Sequence, residues 1–260
     1  MPTRIEPLFA AVKAQRRAAL IAYVTAGDPT PERTPQIVAA LERGGVDLIE
    51  LGVPFSDPIA DGPVIQRAAA RALQAGTTVP KVLDMARAIR KKSEIPLLLF
   101  TYLNPVLRYG LDKLARDAQA AGIDGCLLTD VSVEEAEPYV AAMRAAGLDT
   151  VFLGAPTSTE RRLKLVAQYS TGFVYLVSRT GVTGEQAALS ESLAPLIDKM
   201  RAVTTLPLAA GFGISTPEQA AAVAKMADGV VVGSAIVRQV EKDPAGLEVL
   251  ARSLSERMKK

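Results

Sequence analysis

The run Val46-Asp47-Leu48-Ile49-Glu50-Leu51-Gly52-Val53-Pro54-Phe55-Ser56-Asp57-Pro58-Ile59-Ala60-Asp61-Gly62-Pro63 decides how the chain is read. Val46–Leu51 is an apolar run of strand length with a carboxylate near its C-terminal end. A stiff proline-rich loop follows and delivers a second carboxylate, Asp61. Asp61-Gly62-Pro63-Val64 then reads as a helix start, with Asp as N-cap and Pro63 at the first helical position. A buried carboxylate is costly unless paired or neutralised. A strand that carries one, and a loop that brings another back beside it, point to acid–base work.

The same strand–loop–helix unit recurs along the chain. The other apolar runs are Leu20–Val24, Pro96–Thr101, Gly125–Thr129, Thr150–Gly154, Phe173–Val177, Leu206–Ala210 and Gly229–Val232, which makes eight. Helical periodicity lies between them at Thr34–Glu42, Val64–Gln74, Val79–Lys91, Leu111–Ala121, Glu134–Ala146, Glu160–Gln168, Leu193–Arg201 and Pro217–Lys225. Gly44, Gly76, Gly122 and Gly147 read as helix-ending glycines. Strands that are continuously apolar are buried on both faces, and hence parallel. Eight such units predict an α/β fold, a single (β/α)8 TIM barrel over residues 1–260, with an extra helix at about Ile5–Gln15 before the first strand. A doubly wound open sheet is the alternative. It would more often show a Gly-x-Gly-x-x-Gly turn where this chain has Thr25-Ala26-Gly27-Asp28-Pro29.

Composition narrows the chemistry. The 260 residues are 49% apolar, enough for one large core, and carry 30 basic and 28 acidic side chains. No basic stretch suggests nucleic acid or a membrane surface. No apolar stretch reaches the roughly 18 residues of a membrane span, so a cytoplasmic protein is expected. Cys126 is the one cysteine and reads as a small buried hydrophobe, which excludes a disulfide scaffold. Histidine is absent. Ser-His-Asp systems and His-based metal sites are thereby excluded, and acid–base work falls to Asp, Glu, Tyr or Lys. No lysine lies in any apolar run, which argues against a Schiff-base aldolase. No metal site is expected.

Barrel enzymes work at the C-terminal ends of their strands. The polar candidates there are Glu50, Asp57, Asp61, Tyr102, Asn104, Thr129, Asp130, Tyr175 and Arg179. Glu50 shares a strand face with Val46 and Leu48; if that face points inward, desolvation raises its pKa towards neutrality. An outward Glu paired with a helix cation is the alternative. Asp61 reads equally as helix cap and as catalyst. Asp57, before Pro58, reads as a turn residue. Ser132-Val133-Glu134-Glu135 reads as a capping box, making the Asp130 loop partly structural. Gly211-Phe212-Gly213-Ile214-Ser215 and Val232-Gly233-Ser234-Ala235 follow the last two runs and lead into helices. Their free N–H groups suit a phosphate, with tight turns as the alternative. The long stretch from Ser178 to about Ser190 reads as a lid or binding loop, or as a disordered insertion.

At these residues the chain resembles the tryptophan synthase alpha chain family. The likeness runs through Tyr23–Pro29, Glu50–Gln66, Tyr102–Pro105, Tyr175–Gly184 and Gly211–Ile214. It implies metal-free retro-aldol cleavage of indole-3-glycerol phosphate to indole and glyceraldehyde 3-phosphate, a lyase reaction of tryptophan biosynthesis. By resemblance, Glu50 is the proton shuttle and Asp61 binds the indole N–H. Tyr175, Thr183 and Phe212 lie along the substrate, and Gly184, Gly213, Gly233 and Ser234 hold the phosphate. The family implies a beta chain partner in an α2β2 assembly, which carries pyridoxal phosphate (PLP) and receives the indole; this chain needs no cofactor of its own. Pro54, Asp57, Asn104 and Asp130 match the docking face. Ser132 stands where many relatives have proline, Tyr23 where phenylalanine is common, and Phe100 where a smaller apolar residue often sits. Two other readings stay open: a non-catalytic subunit that activates a PLP enzyme, and a stand-alone phosphate-binding barrel lyase or isomerase.

Overall fold

The computed structural model describes residues 3–177, 186–211 and 213–258. Nine strands are found among them: β1 Ala19–Thr25, β2 Leu48–Gly52, β3 Leu97–Thr101, β4 Gly125–Leu128, β5 Asp149–Thr150, β6 Leu153–Gly154, β7 Val174–Val177, β8 Leu208–Gly211 and β9 Gly229–Val232. All pair in parallel, in the order β5-β4-β3-β2-β1-β9-β8-β7-β6. The two ends of that order belong to one run of chain. Val151 N donates to Cys126 O at 3.1 Å, and Tyr175 N donates to Phe152 O at 3.1 Å. The run 149–154 therefore leaves β4 at its start and reaches β7 at its end, closing an eight-membered barrel. The expected fifth strand is present but splits into two short ladders. Strands tilt and stagger around a closed barrel, so one short strand meets one neighbour low and the other high.

Each strand alternates between two cores. Leu20, Ala22 and Val24 of β1, and Ile49 and Leu51 of β2, face outward onto helix residues such as Val38, Leu41, Leu83 and Ala86. Ile21, Leu48, Leu98, Leu127, Ala209 and Val231 face inward. Both faces are dry, which is why the runs read as continuously apolar. The extra helix is found at Ile5–Ala14 and plugs the barrel from below with Ile5, Phe9 and Val12; Phe9 lies 5.6 Å from the Phe173 ring.

Several local expectations are corrected. Val46 precedes β2 and packs in the outer core, so of the two residues expected to share Glu50's face only Leu48 does. Gly45, not Gly44, takes the left-handed conformation, at φ +93. Gly44 keeps an ordinary helical φ; what requires glycine there is space, because a Cβ would stand 2.5 Å from Ala251 Cβ. The single helix expected over Glu134–Ala146 is a 3-10 turn, Val133–Glu135, followed by Glu137–Ala145. Pro138 causes the break: it lacks an N–H and would clash with the carbonyl of residue 134. The Ser132 hydroxyl bonds the Glu134 carboxylate instead of capping a backbone N–H. Helices Leu103–Tyr109 and Leu247–Glu256 add to those anticipated.

Candidate active site

Glu50 sits on the inward face of β2, between Leu48 below and Gly52 above. It is 1% exposed, and its Oε1 atom has no hydrogen-bond partner. Burial alone raises its pKa from 4.5 to about 8. A carboxyl group in that state is neutral at pH 7 and exchanges a proton with little bias, as a general acid–base group must. The outward, ion-paired alternative for Glu50 is not what the structure has.

Asp61 reaches the mouth from the loop after β2. The helix Pro63–Gln74 takes Gly62 as its N-cap, with no side-chain cap bond, so the capping alternative for Asp61 is set aside. Its carboxylate instead accepts a hydrogen bond from Tyr102 Oη at 3.0 Å. Ala60 N donates to the same phenol oxygen at 3.1 Å, and Gln66 Nε2 donates to Asp61 O at 2.8 Å. Burial raises the Asp61 pKa, and the Tyr102 bond opposes that rise. Phe55 lies against Tyr102, ring centroids 5.3 Å apart, which seats the loop on the end of β3.

Two tyrosines complete the mouth in matching fashion. Tyr23 on β1 pairs in register with Glu50 and packs edge-on against Phe100 at 5.2 Å. Its hydroxyl lies over Gly52 and Tyr175's lies over Gly211, so that a Cβ on either glycine would overlap a phenol. Burial holds Tyr23 in its neutral form, helped by the charges of Asp61 and Glu50; burial and the Glu50 charge do the same for Tyr175. Tyr23, Glu50, Asp61 and Tyr175 therefore share one electrostatic neighbourhood. Tyr102 was visible in the sequence only as a polar residue at a strand end. Its bond to Asp61 spans 41 residues and leaves no local signal.

Gly213 follows β8 with φ +66 and open space on its Cβ side. Gly233 is the N-cap of the helix Ser234–Lys242, with no side-chain cap bond. The first N–H groups of that helix have no intrahelical acceptor and face the loop side, where the helix dipole favours an anion. Ser234 is its first residue. Thr183, Gly184 and Phe212, and the stretch Ser178–Glu185, lie outside the described residues.

On the outer side of the mouth, Asp57, Asn104 and Asp130 are exposed and Pro54 is buried beneath the loop. Asp130 Oδ1 accepts from Leu103 N at 2.7 Å, which fixes the start of the helix that carries Asn104. Ile59 (84% exposed) and Leu107 (57% exposed) add apolar surface on the same two segments. Cys126 is buried and free. Among the described residues, no cluster of His, Cys, Asp and Glu could hold a metal ion, and no helix is long and apolar enough to cross a membrane.

Residues 9–260 match the family model described as tryptophan synthase alpha chain. The tryptophan synthase alpha chain of Solibacter usitatus (strain Ellin6076) is 67% identical over 260 residues, covering 99% of this chain and 97% of the relative. That of Geotalea uraniireducens (strain Rf4) is 51% identical over 240 residues, covering 92% and 90%. Among solved structures, tryptophan synthase subunit alpha from Legionella pneumophila str. Paris superposes with a TM-score of 0.93 at 38% identity, covering 99% of both chains. Mycobacterium tuberculosis tryptophan synthase in space group F222 gives a TM-score of 0.93 at 40% identity over 100% of both. The chain belongs to the tryptophan synthase alpha chain family, and its fold is that family's TIM barrel.

Proposed function

We propose that this chain, as one barrel domain, cleaves indole-3-glycerol phosphate to indole and glyceraldehyde 3-phosphate. The observation that carries the reading is Glu50: a buried carboxyl with an unpartnered oxygen, poised near neutral pH, at the mouth that Asp61 closes. The neutral acid donates its proton to C3 of the indole ring. The ring becomes a cation, which the Asp61 carboxylate stabilises by accepting from the indole N–H. Glu50, now a carboxylate, takes the proton of the hydroxyl on the adjoining carbon. The carbon–carbon bond breaks, its electron pair returns to the ring, and a carbonyl forms on the departing phosphate-bearing fragment. Protons and electrons balance, and Glu50 ends as it began. The cradle of Gly213, Gly233 and Ser234 anchors the phosphate, with Gly184 completing it from the family pattern. Tyr175 borders the substrate between the two ends, and the family pattern assigns Thr183 and Phe212 to substrate binding as well.

The partner in this reading is a tryptophan synthase beta chain, which carries PLP and consumes the indole in the cytoplasm. The exposed Asp57, Asn104 and Asp130, with Ile59 and Leu107 beside them, support a docking face on the outer side of the mouth. Pro54 supports that face from beneath. Incubating the purified chain with indole-3-glycerol phosphate, with and without a beta chain, and following free indole tests the whole reading. Release that depends on Glu50 sustains it. No release under either condition, with activation of the beta chain intact, would turn the chain into a non-catalytic subunit.

A further inference from the structure

The two ends of the site hang on two neighbouring helices. Asp61 stands two residues before the helix Pro63–Gln74, and the Gly233–Ser234 cradle begins the helix Ser234–Lys242. The helices pack together through Ala68 and Val237, with Val64, Ile65 and Tyr23 in the same cluster. That contact is small and apolar, and such surfaces fix separation better than they fix sliding.

A polar clamp supplies the missing constraint. Arg71, in the last turn of the first helix, sends Nε and Nη2 to the two oxygens of Asp28 at 2.7 and 2.9 Å. Its third nitrogen, Nη1, donates to Glu241 on the second helix at 2.8 Å. Asp28 is 3% exposed and lies just beyond β1, the strand that carries Tyr23. One planar guanidinium thus binds the β1 loop, the Asp61 helix and the phosphate helix in a fixed geometry that a lysine cannot reproduce. A buried carboxylate loses much if its partner is removed, so the clamp is not a dispensable surface pair.

We infer that Arg71 is a positioning residue: held by Asp28 and Glu241, it sets the distance between Asp61 and the phosphate cradle. The inference rests on the proposed reaction, whose substrate spans both ends. Its signature follows from that span. A ligand that touches only the cradle is indifferent to the clamp, while one that must reach the cradle and both carboxylates is not. Misplacement of the order of 1 Å, even from a remote change, costs up to about 100-fold in turnover.

The experiment compares the full chain with Arg71→Met, Arg71→Lys and Asp28→Asn, well below the lowest melting midpoint. It measures kcat for indole release and, by calorimetry, the affinity for inorganic phosphate. Arg43→Met, which removes an exposed ion pair to Glu248 on other helices, is the control. Arg71→Met is expected to lower kcat about tenfold or more and leave phosphate affinity within about twofold of wild type. Arg71→Lys recovers only part of the loss, and combining Arg71→Met with Asp28→Asn is no worse than the poorer single variant. Arg43→Met keeps wild-type turnover. Equal losses of turnover and phosphate affinity, or a folded Arg71→Met with wild-type kcat, overturn the inference. If Arg71→Met does not fold, Glu241→Ala, which removes the outer contact together with the looser 3.9 Å pair to Arg67, must show the same split in milder form. Absence of indole release from the wild type refutes the reaction instead, before any variant is compared.

Discussion

The Tyr102 hydroxyl donates to Asp61 Oδ2 at 3.0 Å while accepting from Ala60 N at 3.1 Å, so one phenol holds both the backbone and the side chain of the loop after β2. A donor to a carboxylate favours its charged form. In the proposed reaction it is the charged form of Asp61 that stabilises the cationic indole ring.

Replacing Tyr102 by Phe therefore removes the influence that holds the Asp61 pKa down, while burial, which raises it, remains. The acidic limb of the pH–rate profile is expected to move to higher pH, because Asp61 must be ionised to act. Stability falls by about 1 kcal/mol for the lost hydrogen bonds. A profile of kcat against pH decides the matter; an unmoved acidic limb in a folded variant removes Tyr102 from the mechanism.

Glu50 gives a prediction in the opposite sense. Its carboxyl keeps its proton up to about pH 8 in the folded chain, against 4.5 when exposed. Between those values the folded state binds more protons than the unfolded one. Stability therefore falls as pH rises through this window, and the full cost is present above pH 8. Glu50→Gln is neutral throughout and escapes it. Above pH 8 the variant should exceed wild type by up to roughly 5 kcal/mol, with convergence near pH 4. Its indole release should drop by about 10²–10⁴-fold. Urea melts from pH 4 to 9 check the first claim, and parallel stability curves would contradict it.

The tyrosine-over-glycine pairs make a graded prediction. With a Cβ on Gly211 the nearest ring carbon of Tyr175 would lie 2.9 Å away, and with one on Gly52 the Tyr23 Cζ would lie 2.5 Å away. Gly211→Ala and Gly52→Ala should each cost about 1–3 kcal/mol and push a ring into the mouth, raising KM. Adding Tyr175→Phe removes the clashing oxygen and leaves a nearly tolerable contact, so it should restore part of the loss. Adding Tyr23→Phe leaves the worse overlap and should restore little. Melting midpoints and KM for the four variants measure the contrast.

The parts of this fold that were legible in the sequence are those set by local burial. A strand covered on both faces has no choice but a continuous apolar run, and the alternation of Leu48 with Glu50 aims the carboxylate inward. What was not legible depends on partners far along the chain. Asp61 read equally as cap and as catalyst because its neighbours suit a cap; its carboxylate is claimed instead by Tyr102 from another strand end. Gly44 read as the helix-ending glycine, but the left-handed turn falls at Gly45, and Gly44 is small because Ala251, on a distant helix, leaves no room for a side chain. The division of the fifth strand follows from barrel closure, and the Arg71 clamp crosses 43 and 170 residues of sequence. Thr183, Gly184 and Phe212 rest on resemblance alone.

Gly213 offers a direct probe of the phosphate end. Its φ of +66 strains any L-residue by about 1–2 kcal/mol, yet nothing stands within 4 Å of where a Cβ would be. Gly213→Ala should therefore fold, with a melting midpoint lowered by a few degrees. Its methyl group enters open space at the end of β8, where the proposed phosphate sits, so KM for the substrate should rise about tenfold with little change in kcat. Gly76→Ala is the matched control: the same backbone conformation, at φ +73, beside only the flexible tip of Lys81. It should show the same thermal loss with an unchanged KM. If the two variants raise KM equally, backbone strain explains the effect and Gly213 holds no phosphate. If only Gly213→Ala does, and inorganic phosphate ceases to protect it against heat as it protects wild type, the anion lies against that loop.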